Sequence, residues 1–157
     1  MNAIERLMFK VDWAPLDILV IDMPPGTGDV QLSISQNLKL SGSVIVSTPQ
    51  DIALLDARRA IEMFKKVNVR NLGLVQNMSA YYCSKCGNID YIFGKDGCMK
   101  LANEMGSEFL GDLPLSKEIR ESMDLGKPMA ILHPDHKISL AYKDICEKIL
   151  NSLKNEN

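Results

Sequence analysis

Apolar and polar residues follow two alternating patterns along the chain. Short continuous apolar runs, each followed by polar or glycine-rich residues, are typical of strands that are buried on both faces. Between them lie longer segments in which apolar residues recur at the i, i+3, i+4 and i+7 positions of an amphipathic helix. The short runs predict four strands, at Asp17–Asp22, Ser43–Ser47, Leu72–Gln76 and Phe109–Leu113.

The periodic segments predict helices between and around these strands. They are a short N-terminal helix carrying Ile4, Leu7, Met8 and Val11, then Val30–Leu38, a helix that begins at Asp51, Gly97–Met105, Lys117–Leu125 and a last helix from about Ser139 to Leu153. Asp29 and Asp51 are the predicted N-caps of their helices, because a short carboxylate can accept hydrogen bonds from the first turn. The predicted apolar face of the helix after Asp51 consists of Ile52, Leu55, Ile61, Phe64 and Val67.

Strands and helices alternate throughout the chain, and the strands are apolar on both faces. This order predicts an α/β fold in which a parallel sheet is covered by helices on both sides. The 157 residues correspond to a single domain, residues 1–157, with one long polar insertion at Ser79–Asp96. Ligands of open parallel sheets bind beyond the carboxyl ends of the strands, so the residues directly after each strand are the candidate site.

Composition and charge narrow the possible partners. The chain is 46% hydrophobic and 24% charged, and its formal net charge is -2 without any run of like charges. It therefore lacks the basic surface expected of a nucleic-acid-binding protein. The apolar runs fall short of the ~20 residues needed to cross a bilayer, so no membrane segment is expected. The acidic Glu5 and the broken apolar pattern of the first ten residues argue against a signal or transit peptide.

The loop after the first predicted strand carries residues suited to a nucleotide. Asp22 stands where nucleotide-binding folds place the carboxylate that holds magnesium, directly or through water. Gly26 and Gly28 lack a Cβ, so their backbone N–H groups can approach a phosphate closely, and Pro24-Pro25 stiffens the loop. The alternative is an ordinary tight turn preceded by a solvated acid.

Asn77 follows the third predicted strand. Its carboxamide offers an acceptor and two donors, which match the edge of an adenine base. The alternative is an asparagine that turns the chain into the insertion.

The insertion contains the pair Cys83 and Cys86, with Gly87 directly after it. A single C-x-x-C is compatible with zinc, an iron–sulfur cluster or redox chemistry. Tetrahedral zinc and clusters normally need four soft ligands, so two copies of the chain would complete the set. Cys98 and Cys146 fall within helical patterns, and Cys98 is predicted to be a buried structural thiol and Cys146 to pack in the core or at its boundary.

The string Leu19–Asp29 resembles the Mrp/ApbC-type iron–sulfur cluster carriers, a branch of the deviant P-loop ATPases that includes mitochondrial nucleotide-binding-protein-like members. Further matching blocks occur in the same order, at Ser41–Arg58, Gly73–Ser79, Cys83–Cys86, Ile92–Gly97, Gly111–Leu115 and Ile119–Ser122. The resemblance runs from about Ala3 to Leu150. It excludes the phosphate loop, since the pattern Gly-x-x-x-x-Gly-Lys-Ser/Thr occurs nowhere in the 157 residues.

The resemblance implies that the chain is the C-terminal larger part of such an ATPase domain, a partial P-loop NTPase fold that is inactive in ATP hydrolysis alone. It implies that Asp22 is the catalytic, magnesium-holding acid, that Gly26 and Gly28 face phosphates, and that Asn77 reads the base of ATP. It further implies that Cys83 and Cys86 hold a [4Fe-4S] cluster that bridges a homodimer.

The implied function is that of an iron–sulfur cluster carrier or scaffold that serves apo iron–sulfur recipient proteins, with respiratory complex I as one recipient. The implied location is the mitochondrial matrix in a eukaryote and the cytoplasm otherwise, without a nucleic-acid or membrane partner. The alternative is a non-enzymatic interaction fragment whose Cys83 and Cys86 hold structural zinc or nothing. A partitioning ATPase of the same superfamily is disfavoured because those proteins lack this cysteine pair.

Overall fold

The computed structural model describes residue 6, residue 8 and residues 10–154. Its centre is a three-stranded parallel sheet of β1 (Ser43–Ser47), β2 (Asn71–Gln76) and β5 (Phe109–Asp112). The strand order is β1-β2-β5, so β2 is paired on both sides. Two very short strands, β3 (Tyr81–Tyr82) and β4 (Ile89–Asp90), form an antiparallel hairpin inside the insertion.

Helices connect and cover the strands. They are α1 (Asp29–Asn37), α2 (Asp51–Lys66), α3 (Gly97–Met105), α4 (Lys117–Asp124), α5 (Met129–Leu132) and α6 (Lys137–Lys154). Five of them confirm helices predicted from the apolar periodicity, with ends that differ by one or two residues. The four-residue α5 is too short to produce a periodic signal and was not predicted.

One face of the sheet packs against α2 and α3. Ile45 of β1 and Leu74 of β2 lie in one buried cluster with Ile61 and Phe64 of α2 and Leu101 of α3. Leu74 is completely buried. Burial of a side chain of this size contributes about 1.5–3 kcal/mol, so this layer is a main source of stability.

The opposite face packs against α6. Val75, Leu110 and Leu113 form a second buried cluster with Ile145 of that helix. Helices therefore cover both faces of a parallel sheet, and the α/β fold class predicted from the alternating pattern is confirmed. Both faces of β2 are buried, which explains why its sequence reads as a nearly continuous apolar run.

The strand predicted at Asp17–Asp22 is wrong. This segment contains no strand residue, and three of its apolar side chains are exposed, with Val20 85% exposed. A buried strand needs a neighbouring strand to bond its N–H and C=O groups, and β1, β2 and β5 pair only with one another among the described residues. The apolar pattern predicts that this segment would form a strand beside a partner strand. Among the described residues the segment has no such partner.

The predicted inner face of α2 is partly wrong. Ile61 and Phe64 are buried as predicted, but Ile52 is 65% and Leu55 is 52% exposed. Their place is taken by Leu54, which packs on the core cluster. Leu54 lies seven residues before Ile61 and so shares its side of the helix, whereas Ile52 and Leu55 are rotated away from that side.

Both predicted N-caps are displaced by one residue. The residues at the cap positions are Gly28 for α1 and Gln50 for α2, and neither forms a side-chain cap hydrogen bond. Asp29 and Asp51 are instead the first helical residues, where a negative charge still interacts favourably with the helix dipole.

The predicted N-terminal helix is only partly covered by the structure. Arg6, Met8 and Lys10 are helical, whereas Ile4 and Leu7 lie outside the described residues. Within the described part of the chain, every helix is too short or too polar to cross a bilayer.

Candidate functional site

The carboxyl ends of the three parallel strands are bonded to one another. The Asn77 N–H donates to the carbonyl oxygen of Ser47 over 2.7 Å, and the Leu113 N–H donates to that of Gln76 over 2.9 Å. The Ser79 N–H in turn donates to the Leu113 carbonyl over 3.0 Å. These bonds place Asn77 at the sheet edge where ligands of this fold bind, as the sequence predicts.

The Asn77 side chain is held in its own turn. Its Oδ1 accepts the Met78 N–H over 3.0 Å, and Met78 has a left-handed backbone with φ of 53°. The turn role considered for this residue is therefore present. The carboxamide can still bind a ligand, because its oxygen has a second lone pair and its NH₂ group carries two donors.

The glycine loop, the segment from Pro24 to Gly28, is held by hydrogen bonds from Gln31, a residue that sequence reasoning missed. Gln31 is buried, and its Nε2 donates to the carbonyl oxygens of both Pro24 and Pro25 over 2.9 Å. A Cβ on Gly28 would lie 3.4 Å from the Gln31 Oε1, and Gly26 has a φ of 95° that favours glycine. The available sequence signal was a glutamine on the inner side of a helix directly after a glycine-rich loop.

Asp22 is exposed, just before the segment that Gln31 holds. Gln31 belongs to α1, which packs on the core through Leu32. The loop that carries Asp22, Gly26 and Gly28 is thus positioned by α1, whereas Asn77 is positioned by the strand ends.

The two cysteines of the insertion lie on a tight turn at the tip of the β3–β4 hairpin. The Cys83 N–H donates to the Asn88 carbonyl, and the Gly87 N–H donates to the Cys83 carbonyl, both over 2.9 Å. Gly87 has a left-handed φ of 72°, as a glycine after the second cysteine would suggest. Cys83 is half-buried and Cys86 is exposed, so both are reachable from outside.

The turn favours the thiolate form of Cys83. Hydrogen bonds from the Cys86 N–H, from the Lys85 N–H and from the Cys86 side chain lower the pKa of Cys83. The thiolate is the form of cysteine that binds metals. Groups of three or more Cys, His, Asp or Glu side chains suited to a metal are absent from the described residues, so the pair could supply at most two ligands of a soft-metal site within this part of the chain.

Apolar side chains surround the cysteine pair. Five aromatic or aliphatic residues of the hairpin and its flanks are 39–55% exposed, namely Tyr81, Tyr82, Ile89, Tyr91 and Ile92. The ammonium of Lys137 lies 4.6 Å from the centre of the Tyr82 ring. An exposed apolar surface of this kind is typical of a protein interface.

The other two cysteines differ from each other. Cys98 is completely buried, and burial raises its pKa to about 11, so it is the protonated packing residue that was predicted. Cys146 is exposed on α6, so the core position predicted for it is wrong. Ile145 points to the core, and the next residue is rotated by about 100° around the helix.

Residues 1–150 match the family model ParA, described as the NUBPL iron-transfer P-loop NTPase. The chain belongs to this family. The resemblance to the Mrp/ApbC-type iron–sulfur cluster carriers, drawn from motifs, is thereby confirmed.

Two curated relatives cover almost the whole chain. The mouse iron-sulfur cluster transfer protein NUBPL is 55% identical over 98% of this chain, which covers 48% of that protein. The Arabidopsis thaliana iron-sulfur protein required for NADH dehydrogenase, mitochondrial, is 52% identical over 98% of this chain and is itself covered to 49%. The chain thus spans about half the length of the curated relatives it matches.

A solved structure supports the fold. The nucleotide-binding protein from Archaeoglobus fulgidus, in complex with ADP, is 38% identical and has a TM-score of 0.71. The similarity covers 79% of this chain and 51% of that protein.

Proposed function

We propose that this chain carries the cluster-binding half of an iron–sulfur cluster carrier, in which Cys83 and Cys86 bind the cluster as cargo. The main support is the turn that presents both thiols and lowers the pKa of Cys83. Exposure of the pair suits a carrier, because a cluster bound at the surface can be passed to another protein. The names of the mouse and Arabidopsis relatives agree with this role.

The cluster in this proposal is a [4Fe-4S] cluster shared by two copies of the chain. A four-iron cluster takes four cysteine ligands, and the turn supplies two. The exposed tyrosines and isoleucines around the pair would become buried between the two copies, which adds apolar area to the contact.

A nucleotide site completes the proposal for the intact domain, of which this chain would supply the C-terminal part. Asp22 would hold Mg²⁺ and serve as the catalytic acid residue of ATP hydrolysis, Gly26 and Gly28 would face phosphates, and Asn77 would contact the base. The support is the placement of Asn77 at the strand ends and the fixed backbone of the glycine loop.

The recipients would be apo iron–sulfur proteins. Since the Arabidopsis relative is named as required for NADH dehydrogenase, respiratory complex I is the proposed recipient in a eukaryote, and the mitochondrial matrix is the proposed location. In a bacterium the same chemistry would operate in the cytoplasm.

Cluster transfer to an apo-ferredoxin tests the function. The chain is loaded anaerobically with iron and sulfide, separated from free iron, and mixed with the apo-ferredoxin, whose activity is then followed. Cys83→Ser and Cys86→Ser should abolish loading and transfer, whereas the matched control Cys146→Ser, at another exposed cysteine, should leave both unchanged. Equal transfer by all variants would contradict the proposal. Tight zinc binding without iron would favour the interaction fragment instead.

A further inference from the structure

Gln76, the last residue of β2, is a buried polar side chain with two strong partners. It is 3% exposed. Its Nε2 donates to the Asp112 Oδ1 over 2.7 Å, and its Oε1 accepts the Cys98 N–H over 3.0 Å. A buried carboxamide that is bonded at both ends is fixed in one orientation, because loss of either bond leaves an unsatisfied polar group.

The second partner belongs to the helix that follows the cysteine insertion. Cys98 is the second residue of α3, and its thiol donates to the Ser47 carbonyl at a distance of 3.5 Å. The same carbonyl accepts the Asn77 N–H. The start of α3 is therefore bonded to the ends of both β1 and β2, next to Asn77.

Close packing leaves the start of α3 little freedom. A Cβ on Gly97 would lie 2.5 Å from the Pro49 carbonyl oxygen and 2.8 Å from the Leu54 Cδ1. These distances are below any ordinary contact, so the backbone of α3 approaches the chain after β1 as closely as it can. Only glycine permits this approach without a shift.

Gln76 consequently links the strand before the insertion to the helix after it. The chain leaves the sheet directly after Gln76 and returns at Gly97, and the Gln76 side chain bonds that returning end. The outgoing end is tied separately to the chain after β5, where the Leu115 N–H donates to the Ala80 carbonyl over 2.9 Å. One side chain thus spans the base of the loop that carries Cys83 and Cys86.

We propose that Gln76 is a positioning residue that closes the base of the cysteine insertion and fixes the Cys83 and Cys86 pair relative to Asn77. Its consequence for cluster binding rests on the proposed function, whereas its effect on the hairpin does not. Gln76 precedes Asn77 directly. The hydrogen bonds of Gln76 therefore fix the position of the proposed base contact relative to the proposed cluster ligands.

Three variants separate this role from general stability. Gln76→Met keeps the length of the side chain but removes both hydrogen bonds. Gln76→Glu keeps an acceptor for the Cys98 N–H but places a second carboxylate against Asp112, which is unfavourable. In the double variant Gln76→Glu with Asp112→Asn, the new amide of residue 112 can donate to the glutamate, so the bond re-forms in the opposite direction. Gln36→Met, at an exposed glutamine of α1, is the control.

Amide hydrogen exchange at Cys83 and Gly87, whose N–H groups close the hairpin, reports the position of the insertion. We expect exchange at both amides to be about 5–30 times faster in Gln76→Met and Gln76→Glu, with recovery in the double variant and no change in the control. The amide of Leu74, in the central strand, should accelerate less, by no more than the loss of global stability that urea unfolding measures for each variant. Loss of the cluster to a chelator should accelerate in the same two variants and recover in the double variant.

Unchanged exchange at Cys83 and Gly87 in a folded Gln76→Met chain would overturn the proposal, as would an equal acceleration at Leu74. Failure of the unsubstituted chain to load any cluster would contradict the proposed function alone. In that case the exchange measurements still decide whether Gln76 positions the hairpin.

Discussion

Cys83 and Cys98 lie in opposite electrostatic environments in one small domain. Backbone N–H groups of Cys86 and Lys85 point at Cys83 and lower its pKa. Cys98 is enclosed by the sheet and α3, and burial raises its pKa to about 11. The buried environment confirms the packing role predicted for Cys98, and the exposed turn supports the metal chemistry proposed for the C-x-x-C pair.

The buried thiol should make the fold sensitive to alkaline pH. The ordinary pKa of this thiol is 9.0 and the folded value is about 11, so between these values the unfolded chain loses a proton that the folded chain keeps. Stability from this group is complete below pH 9 and falls by up to about 1.4 kcal/mol per pH unit above it.

Urea titrations from pH 7 to 11 measure this effect as a difference between the unsubstituted chain and Cys98→Ala. The variant should be less stable at pH 7, because it loses buried volume, but its stability should decline less steeply above pH 9. Parallel curves for the two proteins would contradict the protonated state assigned to Cys98.

At the scale of the secondary-structure elements, β2 is the centre of the molecule. It bonds β1 on one side and β5 on the other, and both of its faces are covered. Gly73 in this strand has a φ of 148°, and a Cβ there would lie 2.7 Å from the Glu108 carbonyl oxygen. The β2–β5 contact therefore depends on the absence of a side chain.

Gly73→Ala should destabilise the domain by about 3 kcal/mol, since it combines backbone strain with overpacking against Leu110. Gly126→Ala is the matched control, because Gly126 also has a positive φ but faces open space, and it should cost about 1 kcal/mol. The midpoints of urea unfolding compare the two. Equal losses would show that backbone strain alone determines the cost.

Helices and strands with a clear apolar pattern could be predicted from the sequence. Elements whose formation depends on a neighbouring strand could not. The strands at β1, β2 and β5 and five helices agree with their apolar patterns. The failure at Asp17–Asp22 has a physical reason, since an apolar run contains no information about whether a neighbouring strand is present to bond it. The β3–β4 hairpin was missed because two-residue strands have no periodicity.

The candidate site shows the same division at single residues. Asn77 could be placed at the strand end because its position follows from the predicted sheet. Gln76 could not be found, because a glutamine in a strand gives no sign of which distant group it will bond, and Gln31 was signalled only by its place on a helix directly after the glycine-rich loop. Their roles depend on tertiary contacts that the linear pattern does not encode.

In the molecule as a whole, the residues proposed for nucleotide binding are positioned by two different parts of the fold. Asp22 and the glycine loop depend on α1, and Asn77 depends on the sheet. A phosphate loop with its lysine, which in P-loop enzymes neutralises the terminal phosphates, does not occur in the 157 residues.

The 157-residue chain should therefore hydrolyse ATP no faster than buffer. Phosphate release over several hours, with Asp22→Asn as the comparison, measures this. Steady turnover that is retained through purification and lost in Asp22→Asn would contradict the prediction. In a version that also contains the lysine loop, the same substitution should suppress turnover while leaving the unfolding midpoint unchanged, because Asp22 is exposed.

In the proposed function, Cys83 and Cys86 supply half of a cluster site that two copies complete. Multi-angle light scattering of the anaerobically reconstituted chain, with iron and sulfide determined in the same fractions, tests it most directly. We expect a dimer that contains about two iron atoms per chain, and an iron-free monomer for Cys83→Ser. A monomer that holds a full four-iron cluster, or a chain that binds zinc and excludes iron under the same conditions, would contradict it.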